Sequence, residues 1–364
     1  MFVLVRNKIT GEYNTIYKKD IRNFLNLKSF FNADPKLNGK QVDFNFEIIE
    51  DNNKIKEILE NSFTSKGRGG EYNEDLPSST KLAYSLFPLN IYSDKYLIRW
   101  KNNTSLVEQD NDKELTLSKG TFIHFVLEKF VCDREERNKD KTLIDKLKLL
   151  NKSKKPSKKI YKQIHDKIVN DIRKYIQMAY KDEEILHKIT NIDDIKEELE
   201  YLATKCLPKF ILNELIFTDL VYSEIFICEN KYIQGSVDLV CYKDNHFEIW
   251  DYKTTSSVSK DTNKPKFKSN TPSALVGYAR QLYIYNELLK KSGMTHLFDN
   301  SIPNFYIIQI HLLNGEYKKF NIPYNLIQSQ GKTVEKVLQW YWDIRNGIFQ
   351  DYIEEDEELE YISI

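Results

Sequence analysis

Residues 235–255, which read G-S-V-D-L-V-C-Y-K-D-N-H-F-E-I-W-D-Y-K-T-T, are the most informative stretch of the chain. Val237, Leu239 and Val240 form an apolar run with a carboxylate, Asp238, set inside it. Lys243 to His246 is polar and turn-like, and Phe247 to Trp250 returns to strand composition. Branched and aromatic runs on either side of a short polar break predict a β-hairpin. Asp251 and Lys253 follow at the end of its second strand. Side chains two apart on a strand share a face, so this carboxylate and this ammonium project together, with Asp238 on the first strand close by. An isolated buried carboxylate costs several kcal/mol unless it is paired or coordinates a metal. Two carboxylates and a lysine on a rigid strand pair suit a hard divalent cation and the activation of a water molecule. Asp-x-Lys alone is common on solvated strand faces; its weight here comes from the Gly-x-x-Asp upstream, with both Asp residues embedded in apolar sequence.

Two predicted helices add to the set. Residues 278–289 place Gln281 and Tyr285 four apart, and residues 120–128 do the same for His124 and Glu128, so each pair shares a helix face. In the order G-T-x-x-H, G-x-x-D, D-Y-K-T and Q-x-x-x-Y, the chain resembles the RecB-like branch of the PD-(D/E)XK nuclease superfamily. Ahead of these motifs, Pro77 to Leu82 and Trp100 look like the lead-in of phage exonucleases and of the mitochondrial genome maintenance exonucleases. The likeness covers residues 76 to 310, and the four motifs are specific jointly, not singly. It implies an α/β fold with a restriction-endonuclease-like core, a mixed central β-sheet flanked by helices, carrying a helical insert and an N-terminal extension.

The resemblance also implies roles. His124, Asp238, Asp251 and the backbone carbonyl of Tyr252 are the expected ligands of Mg2+, for which Mn2+ can substitute. Lys253 is expected to orient or help deprotonate the attacking water and to stabilise the transition state. Gln281 and Tyr285 hold the strand or the metal shell. The expected activity is a Mg2+-dependent DNA exonuclease acting on single strands or free ends in replication, recombination or repair, with DNA and replication or recombination proteins as partners. The alternatives are an endonuclease of the same superfamily and an inactive nucleic-acid-binding or structural phage protein on the same fold. Some relatives carry an iron–sulfur cluster on one upstream and three closely spaced downstream cysteines. No cysteine follows Cys241 here, so no cluster is expected, and Cys132, Cys206, Cys228 and Cys241 read as reduced, mostly buried thiols.

At 364 residues and 41% hydrophobic, the chain has enough apolar material for one large domain or two modest ones. No apolar run approaches a bilayer's thickness, and Met1 to Arg6 is too short for a signal peptide, so a cytoplasmic protein without a membrane partner is expected. Abundant Lys, Asn and Ile point to an AT-rich coding genome, that of a phage or a low-GC bacterium. Formal net charge is zero, but lysines gather between Lys139 and Lys167 and again from Lys253 to Lys268, while residues 351–364 form an acidic tail. Either basic run reads as phosphate-neutralising or as a solvated loop. The expected organisation is an accessory region over 1–70, a nuclease domain over 76–350 with a basic helical insert over 132–215, and the tail. Within the insert, Ile160, Ile164, Ile168, Ile172 and Ile176 recur every four residues and predict an amphipathic helix. Two basic helices and their loop would form an arch for a strand end, or simply pack. Ser79 or Thr80 is expected to cap a helix through Leu86, and Glu224, on the strand before the hairpin, is either near the site or outward-facing.

Overall fold

The computed structural model describes residues 2–7, 11, 13–18, 46–63, 75–84, 106–152, 157–188, 192–218, 221–229, 232–244, 246–255, 272–294, 301–312 and 316–348. Outside the described residues lie a segment of helical sequence at 21–31, a glycine-rich stretch at 65–71, Trp100, Lys154 and Lys155, the polar stretch over 256–271 and the tail over 351–364. In chain order the elements are β1 (Phe2–Asn7), β2 (Tyr13–Tyr17), β3 (Phe46–Ile48), α1 (Asn52–Phe63), α2 (Ser79–Tyr84) and α3 (Leu106–Cys132). The insert follows as α4 (Arg134–Asn138), α5 (Lys141–Lys152), α6 (Lys158–Ala179), α7 (Glu183–Lys188), α8 (Ile192–Tyr201) and α9 (Leu207–Asn213). Then come β4 (Val221–Cys228), β5 (Gln234–Lys243), β6 (His246–Thr255), α10 (Pro272–Lys291), β7 (Asn304–His311), β8 (Tyr317–Asn321) and α11 (Tyr324–Arg345). No helix among the described residues is long and apolar enough to cross a membrane.

The chain divides into two compact units. One takes residues 1–64, 84–104 and 332–364. Its antiparallel sheet has the order β2-β1-β3. Phe2 packs on Trp340 with ring centroids 5.6 Å apart, and Phe63 meets Tyr341 edge-on at the same spacing. The chain's end therefore helps to build this unit, because the apolar stripe of the last helix supplies the cover that a short three-stranded sheet needs.

The other unit, residues 65–83 and 105–331, holds a mixed sheet of order β4-β5-β6-β7-β8. All its neighbours are antiparallel except β6 and β7, which are parallel and joined through α10. A parallel pair needs such a helical crossover. On one face, Leu239, Trp250, Tyr252 and Ile308 share a core with α3, α6 and α9. The isoleucine stripe of α6 turns inward as its four-residue spacing dictates: Ile164, Ile168, Ile172 and Ile176 are buried. Phe210 of α9 is wedged against Trp250 and Tyr252, centroids 6.1 and 5.9 Å away.

Two expectations need correction. Ser78, not Ser79 or Thr80, caps α2: its hydroxyl accepts the Lys81 N–H at 3.4 Å. Ser79 is the first helical residue and is buried against β5. The thiols are not mostly buried either, since Cys132 and Cys228 are exposed while Cys206 and Cys241 are buried.

Candidate active site

The site lies where the sheet comes apart. β5 and β6 are paired from Lys243 and His246 as far as Leu239 and Trp250, and no further. Beyond that point β5 continues with β4, to Gln234, and β6 with β7, to Thr255. A backbone N–H left without a ladder partner must find another acceptor. The Tyr252 N–H finds the Asp238 carboxylate, at 2.7 Å to Oδ2. The apolar run thus carries a carboxylate because the strands part there.

Glu224 sits in mid-strand on β4, across from Asp238, at the rung the β4–β5 ladder omits between Ser223–Leu239 and Ile225–Val237. Its φ of 49° is left-handed, a conformation that costs a non-glycine residue on the order of 1–3 kcal/mol and that persists at functional sites. Bent in this way, its carboxylate meets His124: Oε1 is 3.1 Å from Nδ1, while Oε2 accepts the Ser236 hydroxyl at 2.9 Å. His124 arrives from α3, edge-on to the Tyr252 ring at 5.6 Å, with Nδ1 3.8 Å from Asp238 Oδ2. One turn earlier, a Cβ on Gly120 would stand 3.1 Å from Thr254 Oγ1, so the glycine of G-T-x-x-H lets the helix approach β6.

Asp251 and Lys253 project together from β6, as their two-residue spacing dictates. Asp251 is fully buried, and Lys253 Nζ lies 2.6 Å from its Oδ2 and 2.9 Å from its Oδ1. The aligned hydrogen bond goes to Oδ1, which leaves Oδ2 with the ion pair and no hydrogen bond among the described residues. From α10, Gln281 accepts a second Lys253 N–H at 3.0 Å and donates to Tyr285 Oη at 2.6 Å. Tyr285 points its hydroxyl back to Asp251 Oδ1, 3.5 Å away. The i, i+4 pair on the helix therefore closes a ring of contacts around the lysine.

The electrostatics are those of a crowded carboxylate cluster. Burial alone would push the His124 imidazole down, but Asp238 and then Glu224 outweigh it and bring it up to about 9. Burial pushes the Asp238 carboxyl up to about 7, with Asp251 and Glu224 adding to the shift and His124 opposing it. For Lys253, burial is outweighed by Asp251 and Asp238, which hold the ammonium above its ordinary value. The Tyr285 hydroxyl is pushed well up by burial and by the same two carboxylates, so it stays a donor.

A cation fits this donor set. The ligand atoms of His124, Glu224 and Asp238 all lie within 4.8 Å of one another, and Asp251 presents a buried oxygen without a hydrogen bond on the neighbouring strand. Carboxylate oxygens forced together in this way are what a hard divalent ion neutralises. The residues given roles in the sequence, His124, Asp238, Asp251, Tyr252, Lys253, Gln281 and Tyr285, converge here, Tyr252 through its backbone N–H and ring, whereas Glu128 pairs with Lys129. Glu224 joins them. Its signal was a carboxylate within an apolar strand one hairpin ahead of Asp238, but on an edge strand regular alternation turns such a residue outward equally well.

The family model described as the PD-(D/E)XK nuclease superfamily matches residues 95–357. The chain belongs to that superfamily. The chain is also 23% identical over 354 residues to the RecB subunit of the RecBCD enzyme of Borreliella burgdorferi. That match takes in 89% of this chain and 28% of the curated relative, so the chain spans about 28% of its length. A crystal structure from Eubacterium rectale, described as a candidate exonuclease, is 12% identical with a TM-score of 0.31, covering 69% of this chain and 87% of its own.

Proposed function

We propose that this nuclease is a Mg2+-dependent deoxyribonuclease working as an exonuclease on single strands or free DNA ends. The supporting observation is the convergence of His124, Glu224 and Asp238 with the Asp251–Lys253 pair at the strand split. His124, Glu224, Asp238, Asp251 and the Tyr252 carbonyl would hold the cation, which supplies charge neutralisation at the phosphate and a more acidic water. The chain's own part is positioning and charge. Lys253, held as an ammonium, donates to a phosphate oxygen or to the attacking water and offsets charge as it develops. Gln281 and Tyr285 fix Lys253 from α10 and keep its third N–H turned toward the site. The B. burgdorferi relative is named as a subunit of a larger enzyme, which supports a protein acting with partners at DNA in replication, recombination or repair. Work in the cytoplasm, that of the host for a phage-encoded chain, completes the reading.

Single-stranded DNA labelled at its 5′ or 3′ end, incubated with Mg2+ or EDTA beside Asp251→Ala, tests this directly. A Mg2+-dependent ladder or mononucleotides, absent in the variant, would support the exonuclease and give its polarity. Cleavage of a circular substrate would move the assignment to an endonuclease. No cleavage of linear, circular, single- or double-stranded DNA would leave a binding protein or a nuclease of RNA.

The cation should also stabilise the fold more strongly as pH rises. Asp238 and His124 both have folded values above their ordinary 3.8 and 6.5, so each favours folding at low pH. Asp238 loses its contribution as pH rises through about 7, and His124 as pH rises through about 9. Metal-free protein therefore grows less stable over that window, while deprotonated ligands bind metal better. The rise in melting temperature on adding Mg2+ or Mn2+ should be larger at about pH 8.5 than at about pH 6. An equal rise at both would place the ion elsewhere.

A further inference from the structure

Tyr161 is 37% exposed on the side of α6 that elsewhere builds the core. It stands three and seven residues before Ile164 and Ile168, which are buried, so it shares their face of the helix. Its ring lies against that of His165, one turn on, with centroids 6.4 Å apart and planes 25° from parallel. Lys158, Lys159 and Lys162 flank the pair, and all three are exposed. Other lysines of α6 have acidic partners: Lys167 lies 3.3 Å from Asp171, and Lys174 lies 3.0 Å from Asp133. These three have none among the described residues. Nor do they serve the helix, whose first turn holds no acid and whose preceding Ser157 caps no N–H with its side chain. Cations in a first turn oppose the helix's own field and cost it stability.

The patch lies at the reaction centre's end of the sheet. Phe210 has the Tyr252 ring at 5.9 Å and the Tyr317 ring at 5.3 Å. Tyr317 is opposite Ile310, and Ile310 opposite Thr254, so it stands where β5 and β6 have parted. Tyr161 is within electrostatic reach of the Tyr317 hydroxyl. Unpaired lysines around an exposed ring complement a chain of phosphates and bases. A base stacks on a side chain only when it has left its own helix, so the partner of this chemistry is a single strand.

We propose that this patch carries the single-stranded part of the substrate beside the active site. Lys158, Lys159 and Lys162 neutralise its phosphates, and Tyr161, backed by His165, stacks on one of its bases. The lysines oppose their own helix because the strand, when bound, supplies the negative charge that the first turn lacks. That the strand is substrate rests on the nuclease reading above.

The test measures binding of the full chain, in EDTA, to a fluorescent DNA single strand of about twenty nucleotides over a salt series, together with the melting temperature. Lys158→Glu combined with Lys159→Glu should weaken binding by more than about tenfold at about 0.1 M salt. It should also flatten the slope of log K against log salt by roughly 1.4, the share of two phosphate contacts on a single strand. Its melting temperature should be unchanged or raised, because acids in the first turn suit the helix. Tyr161→Ala should weaken binding about tenfold with the slope unchanged, the mark of lost stacking. Parental affinity and slope in the double variant would overturn the proposal. So would equal losses on a blunt duplex and on the single strand, or a loss of affinity matched in both proteins by a fall in melting temperature. A parent that binds the strand, loses it on these substitutions and cleaves nothing with Mg2+ would support the patch and overturn the nuclease reading. A parent that cleaves, with variants that bind as it does, would overturn the patch alone.

Discussion

Lys253→Ala is expected to lower the single-turnover cleavage rate by about a thousandfold, the scale of removing one charge-stabilising donor from a preorganised site. In the proposed reaction the Lys253 ammonium is the group that meets a developing phosphate charge. It is held above its ordinary value, paired with Asp251 at 2.6 Å, and bonded to Gln281. The single substitution has a structural side as well. Asp251 is fully buried, and a buried carboxylate stripped of its partner is costly. The double variant Asp251→Asn with Lys253→Met separates the two effects, because it removes both charges while keeping the shapes. It should melt close to the parent and yet be inactive. Cleavage and melting curves measured on both proteins decide the matter, and a rate within about tenfold of the parent in either would remove Lys253 from the chemistry.

The second large effect is expected at Gly235→Ala. A Cβ built there stands 2.2 Å from Ser79 Oγ, 2.6 Å from Ser79 Cβ and 3.4 Å from Leu288 Cδ1. Rotating the hydroxyl relieves only the first clash, since Ser79 Cβ moves with its backbone. That backbone is tied down: Ser78 bridges to Gln234, the Gln234 N–H donates to Pro77 O at 3.0 Å, and Gln234 Nε2 donates to Leu76 O at 2.9 Å. The added methyl should therefore cost about 1–3 kcal/mol, read as a lower denaturant midpoint at constant m-value. Ser79→Gly in the same chain should return most of the loss by removing both clashing atoms. Additive effects of the two substitutions would show that the close approach is not what requires glycine here.

These residues show what was legible in the sequence. The hairpin, the Asp251–Lys253 pair and the Gln281–Tyr285 helix follow from periods of two and four along the chain, and such periods survive folding because they are local. Gly235 was readable as part of a motif but not as a contact, since Ser79, the atom it makes room for, is far away in sequence. Glu224 was hidden because a left-handed residue in mid-strand breaks the alternation by which strands are read. β8 escaped for another reason. Its sequence Y-K-K-F-N looks solvated, yet Lys319 lies 4.3 Å from the centroid of Trp250 and 3.9 Å from that of Tyr306, and donates to buried Glu248 at 2.8 Å. Paired and laid over rings, a lysine can line a protein interior, and composition alone gives no hint of it.

The Tyr252 amide has a property that follows from its partner. Ordinary strand amides are held by neutral carbonyls and sense only whether the sheet is intact. This one is held by the Asp238 carboxylate, where β5 and β6 part. Its proton resonance and its exchange with solvent should therefore follow the charge on that carboxylate, shifting as the acid titrates or as a cation takes up its other oxygen. The backbone carries its own reporter at the centre of the site, readable by NMR without any label attached to a side chain.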